Sequence, residues 1–88
     1  MELDIRTPAG NVFEIMGLVR QLLQAQRADS ERVAAVMADM SSGDYWHALA
    51  VANRETFDSF RVTGLNPGEQ ELLDAATSRA RALAEAGS

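Results

Sequence analysis

Pro8-Ala9-Gly10-Asn11-Val12-Phe13-Glu14-Ile15-Met16-Gly17-Leu18-Val19-Arg20-Gln21-Leu22-Leu23 is the most apolar and most clearly periodic stretch of the chain. Val12, Phe13, Ile15, Met16, Val19, Leu22 and Leu23 recur at helical spacing, forming a broad apolar face that a short protein has to bury. That face reads as core rather than as a site. Asn11 can cap the helix with Glu14 three positions on, or Thr7 can cap it with Pro8 at the first helical position. Either start gives a helix ending near Gln26. Gly17 lies inside it, where glycine costs roughly 1 kcal/mol relative to alanine, so a close backbone contact with a neighbouring element is expected there.

Upstream, Met1, Leu3 and Ile5 alternate with Glu2, Asp4 and Arg6, the period of a short half-buried strand that Thr7 and Pro8 end. Downstream, Arg27, Ala28 and Asp29 make a short connection, so the second helix, capped by Asp29 or Ser30, should return antiparallel to the first. Val33, Val36, Met37 and Met40 form its apolar stripe. Ser41, Ser42 and Gly43 break the pattern, with Ser41 expected to cap a third helix that has Asp44 at its third position. Trp46, Leu49, Ala50, Asn53 and Phe57 then share one face, and Trp46 should anchor it in the core.

Phe60 and Val62 alternate with Arg61 and Thr63, which suggests a second strand within residues 57–64. The two short strands are expected to pair antiparallel. Asn66-Pro67-Gly68-Glu69 is the clearest start signal in the chain and opens a last helix, with Leu72, Leu73, Ala76, Ala80, Leu83 and Ala84 on its stripe. The expected fold is mainly α: one small domain over residues 1–88, about four helices in the order β-α-α-α-β-α. Residues 1–64 would form the core unit, and residues 66–86 a helix available for oligomerisation. Leu72, Leu73, Ala76, Ala80 and Leu83 would then be a homodimer interface, because small alanines admit a second helix closely and a short chain gains by burying more surface.

Composition narrows the function. With 47% hydrophobic and 24% charged residues the chain is of ordinary globular type, which argues against disorder. The absence of cysteine excludes disulfides, thiolate metal sites and a cysteine nucleophile. The net charge is −5, and the eight basic residues, all arginine, are scattered along the chain, so nucleic acid is not the expected partner. Glu14 and Arg20 interrupt the apolar run before it could span a bilayer. Nothing resembles a signal peptide, and a cytoplasmic, membrane-free protein is expected.

Few residues suggest chemistry. Asp44 and His47 stand at i and i+3, with Asp39 as a distant third group, but two ligands on one helix do not make a metal site. Ser41 or Ser42 with His47 lacks any oxyanion-hole signature. The second and third helices could be read as a helix-turn-helix, yet Asp44 leads the would-be reading helix and Arg54 is its one basic residue. Met16, Met37 and Met40 suit either core or an adaptable surface. Arg79 and Arg81 could meet an anion only by converging across an interface. No catalytic residue, metal ligand or cofactor is expected.

Two pieces, Thr7-Pro8-Ala9-Gly10-Asn11-Val12-Phe13-Glu14-Ile15-Met16-Gly17 and Met40-Ser41-Ser42-Gly43-Asp44-Tyr45, resemble a pattern in small accessory proteins of tailed bacteriophages and prophages. The pattern covers residues 3–57 and leaves the last helix outside it. The resemblance implies a phage or mobile-element protein in a bacterial cytoplasm, and small proteins in that setting often bind a host or defence protein. The favoured function is therefore a non-enzymatic protein-interaction module. The alternatives are an oligomeric protein that sequesters a small molecule or nucleotide, and a helix-turn-helix-like DNA-binding protein.

Overall fold

Four side-chain caps set the helix starts. A computed structural model describes residues 1–86, and there the chain runs β1 (Glu2–Asp4), a single 3-10 turn (Pro8–Gly10), α1 (Val12–Ala25), α2 (Ser30–Ser41), α3 (Tyr45–Glu55), β2 (Arg61–Thr63) and α4 (Pro67–Ala86). The Asn11, Asp29 and Asp44 side chains accept from the amides of Phe13, Arg32 and His47 respectively, satisfying donors that the first turn of a helix leaves open. At α4 the cap is reciprocal: the Glu69 amide donates to Asn66 Oδ1 at 2.8 Å and the Asn66 amide to Glu69 Oε1 at 3.1 Å. Pro8 opens its own short turn rather than α1.

Two expectations at the α2–α3 junction are corrected. Ser41 is the last residue of α2, its hydroxyl donating back to the Met37 carbonyl, and does not cap α3. The Ser42 amide and hydroxyl both bond the Asp39 carbonyl and end α2 there, leaving Asp44 as the next acceptor in the chain. Phe57 is likewise not on α3. That helix ends at Glu55, and Phe57 and Asp58 both take positive φ, at 56° and 57°.

The strands pair parallel, not antiparallel, in the register Glu2 with Arg61, Leu3 with Val62 and Asp4 with Thr63. Three helices lie between them, and parallel pairing needs a long crossover of this sort, whereas antiparallel neighbours are usually joined by a short turn. Gly64, at φ +79°, lets the chain leave β2 beside Asp4, where a side chain would collide with the Asp4 carboxylate.

The centre of the molecule is α3, which packs against α1, α2 and α4. Ala48, Leu49, Ala50, Val51 and Ala52 are all buried, and no residue of α3 is exposed. Around them lie Ile15, Val19 and Leu23 of α1, Val33, Val36, Met37 and Met40 of α2, Leu3, Phe60 and Leu73. Half-buried Trp46 meets Tyr45 edge-on at 5.3 Å and bridges this core to a small seam of Ala50, Ala76 and Ala80.

That seam is where α4 lies on α3, the one helix it packs against among the described residues. Its small residues therefore admit a helix of the same chain. The radius of gyration, 12.4 Å, is close to the roughly 12 Å of a compact chain of this length, so α4 does not project as a free arm. Among the described residues no helix is long and apolar enough to cross a membrane.

Candidate functional site

The apolar face of α1 divides in two. Ile15, Val19 and Leu23 are completely buried and Val12, Met16, Leu18 and Leu22 pack partly against the core, but Phe13 is 77% exposed. Phe13 is thus corrected from core to surface. At 100° per residue it lies roughly 120° around the helix from the centre of the buried stripe, beyond the reach of the core. Gly17 follows one turn later on the same side. A Cβ at Gly17 would meet nothing within 4 Å, so the expected close backbone contact is absent.

Next to Phe13 an apolar notch of about 340 Å³ opens between α1 and the α2–α3 turn, lined by Val12, Phe13, Met16, Met40, Ser41, Gly43, Asp44 and Tyr45. Every one of these residues comes from the two sequence pieces that carry the resemblance. The walls are fixed. The Tyr45 hydroxyl donates to the Gly10 carbonyl, and a Cβ on Gly10 would fall 2.5 Å from the Ile5 Cα, so only glycine allows the Pro8–Gly10 turn to press against the backbone just after β1. Burial, and then the Glu69 carboxylate, push the Tyr45 phenol up, so it remains a donor at ordinary pH.

The His47 neighbourhood is structural. His47 Nε2 lies 2.9 Å from the Asp39 carbonyl oxygen and 3.0 Å from Asp39 Oδ1, both acceptors, so this nitrogen carries the proton. It therefore cannot accept one from Ser42, 3.4 Å away, whose hydroxyl already donates to the Asp39 carbonyl. Asp44, the other half of the sequence-level pair, is occupied as the α3 cap. Among the described residues no group of three His, Asp or Glu side chains is placed to hold a metal.

Asp39 also accepts from Arg54 NH2 at 2.6 Å, while Arg54 reaches Glu55 at 3.0 Å and the Ala80 carbonyl at 3.2 Å, tying α2, α3 and α4 together. Burial, the largest single influence, pushes the Asp39 carboxyl up, but bonds and charge from Arg54 and His47 outweigh it and hold it below the usual range. Burial likewise works against the Arg54 charge, and Asp39 and Glu55 more than offset it. The one basic residue of α3 is thus engaged in ion pairs within the fold, and no residue of α3 is more than partly exposed.

The residues proposed for an oligomer interface fall on two sides of α4. Leu73, Ala76 and Ala80 are buried in their own chain, while Leu72 and Leu83 remain 52% and 63% exposed. Within the chain, Arg81 pairs with Asp58, and Arg79 borders a small cleft with Ser42, Gly43, Asp44, His47 and Leu83. A second apolar groove, about 620 Å³, runs between α1 and α2 over Ala28, Val33, Ala34 and Met37, with Arg20 at its rim. Sequence reasoning missed the Arg54 hub and the outward turn of Phe57. The first has no sequence signature; the second was hidden because Phe57 continues the α3 spacing.

No protein-family model, curated protein or solved structure matches this chain.

Proposed function

We propose that this chain is a non-enzymatic protein-interaction module that docks a partner on the α1 face of Phe13 and Gly17 and in the adjoining notch. The observation that carries this is a large aromatic side chain 77% exposed, followed one turn later by a helix-interior glycine for which the fold has no steric need. An exposed aromatic beside an apolar depression is the form of an interface anchor. Glycine within a helix sacrifices roughly 1 kcal/mol, and at Gly17 its bare backbone leaves room for a body outside the chain. The resemblance to tailed-phage accessory proteins extends the proposal to a host or defence protein as the partner, in a bacterial cytoplasm. Both pieces of that resemblance line the same notch.

The test is selection of a displayed, randomised peptide library on the full chain, with counter-selection on Phe13→Ser. Enriched peptides that bind the wild type and lose at least about tenfold in affinity on Phe13→Ser support the proposal. A library that yields no Phe13-dependent binder, while the protein is folded, overturns it. The small-molecule alternative rests on the α1–α2 groove with Arg20 at its rim; a nucleotide or amphiphile that fits there must raise the melting temperature, and lose that effect in Arg20→Ala.

A further inference from the structure

We infer that the partner segment is an amphipathic α-helix laid along the furrow between α1 and α2, with an aspartate or glutamate set against Arg20. This rests on the docking site proposed above and specifies its occupant. The notch at Phe13 and the larger groove at Arg20 are the two ends of that furrow. Phe13, Gly17, Arg20 and Gln24 stand at i, i+4, i+7 and i+11 and so form one line along α1. Ser30, Ala34, Met37 and Ser41 repeat that spacing along α2, which returns antiparallel after the short connection 26–29. This pairing sets Phe13 opposite Ser41, both lining the notch, and Arg20 and Gln24 opposite Ala34 and Ser30, all lining the groove. Gly17 falls between the two ends, with nothing within 4 Å of a Cβ there.

The furrow selects a helix. From Phe13 to Gln24 is roughly 16 Å, about three helical turns. Its walls are helices whose backbones bond internally, so an extended peptide would find no strand edge to join. Its own amides and carbonyls would lie unpaired over the apolar floor of Met16, Val33 and Met37. A helix satisfies its own backbone, and the small Gly17 and Ala34 let it approach closely. Arg20 then fixes one charge of the partner. It is the only charged residue lining the groove, and it forms no ion pair among the described residues. Asp29 caps α2 beyond the Ser30 end, and Glu31 is turned about 80° around α2 from the Ser30–Ala34 line, so neither lines the groove. At the notch end Asp44 is the lining charge and Arg79 shares a cleft with it, so no sign is assigned to the partner there. The acidic residue is a local complement to Arg20 alone.

The Phe13-dependent peptides selected on the wild-type chain are the probe. We expect them to carry apolar residues at i, i+3 or i+4, and i+7, with Asp or Glu about two turns from the anchor, and to gain helical circular dichroism on binding. Arg20→Glu should weaken them at least about tenfold, and replacing the peptide's acid with lysine should restore binding to that variant. Ala34→Trp, which fills the furrow from an exposed position, should weaken them as much while the melting temperature shows the fold intact. Phe13-dependent peptides that bind in extended form, that bind either variant as tightly as wild type, or that the charge reversal does not rescue, overturn this inference while the docking site stands. Absence of any Phe13-dependent peptide removes the docking site itself. Sedimentation of the chain alone covers a second copy as occupant: a dimer that Ala34→Trp dissociates overturns the inference in favour of self-association.

Discussion

The Tyr45 hydroxyl, at the start of α3, donates its hydrogen bond to the Gly10 carbonyl, 35 residues earlier in the chain. One bond thereby joins the turn before α1 to the turn after α2 and fixes the two walls of the notch. Tyr45→Phe keeps the ring and its edge-on contact with Trp46 but leaves the carbonyl without this donor. We expect a loss of about 1 kcal/mol in urea unfolding, and weaker binding of any Phe13-dependent peptide.

Asp39 makes the fold sensitive to acid. Its carboxyl is held below its usual value by Arg54 and His47, against the opposing effect of burial, with Glu55 sharing the same arginine. A depressed carboxyl stabilises the fold fully above its unfolded value, about 3.9, and that contribution is lost as pH falls through the lower folded value. The Asp39 side chain is 35% exposed, so the effect is screened. The melting temperature of wild type should fall more steeply below about pH 5 than that of Asp39→Asn, which lacks the titrating group. Parallel curves would remove Asp39 from the acid response.

Phe57 is 85% exposed and sits at φ 56°, where an L side chain crowds its own carbonyl. The left-handed conformation costs roughly 1–2 kcal/mol per residue, and Phe57 returns little of it through burial. Glycine removes the strain but adds freedom to the unfolded chain. Phe57→Gly is therefore expected to raise stability by up to about 1 kcal/mol in chemical denaturation.

Much of the fold was legible from caps and spacing. Asn11, Asp29 and the Asn66–Glu69 box mark helix starts with local chemistry, and each bond forms within a few residues of the chain. The direction of strand pairing was not legible, because nothing within Met1, Leu3, Ile5 or Phe60, Val62 encodes how three intervening helices bring the chain back. Gly17 misled for a related reason. A helix-interior glycine suggests a close neighbour in the fold, and the fold places none within 4 Å of a Cβ there. Phe13 was recoverable, since helical arithmetic alone separates it from Ile15, Val19 and Leu23. The notch was not, since it exists only where residues 12–16 meet residues 40–45.

Gly17→Leu separates a glycine kept for the fold from one kept for a partner. The measurement is the affinity of wild type and Gly17→Leu for the tightest Phe13-dependent peptide, made on proteins whose melting temperatures are recorded alongside. With no neighbour within 4 Å, leucine should leave melting unchanged or raise it by the equivalent of about 1 kcal/mol. Standing one turn from Phe13, it should also obstruct docking and weaken peptide binding by at least about tenfold. A variant that melts lower than wild type, or that binds the peptide equally well, would contradict a docking face centred on Phe13 and Gly17.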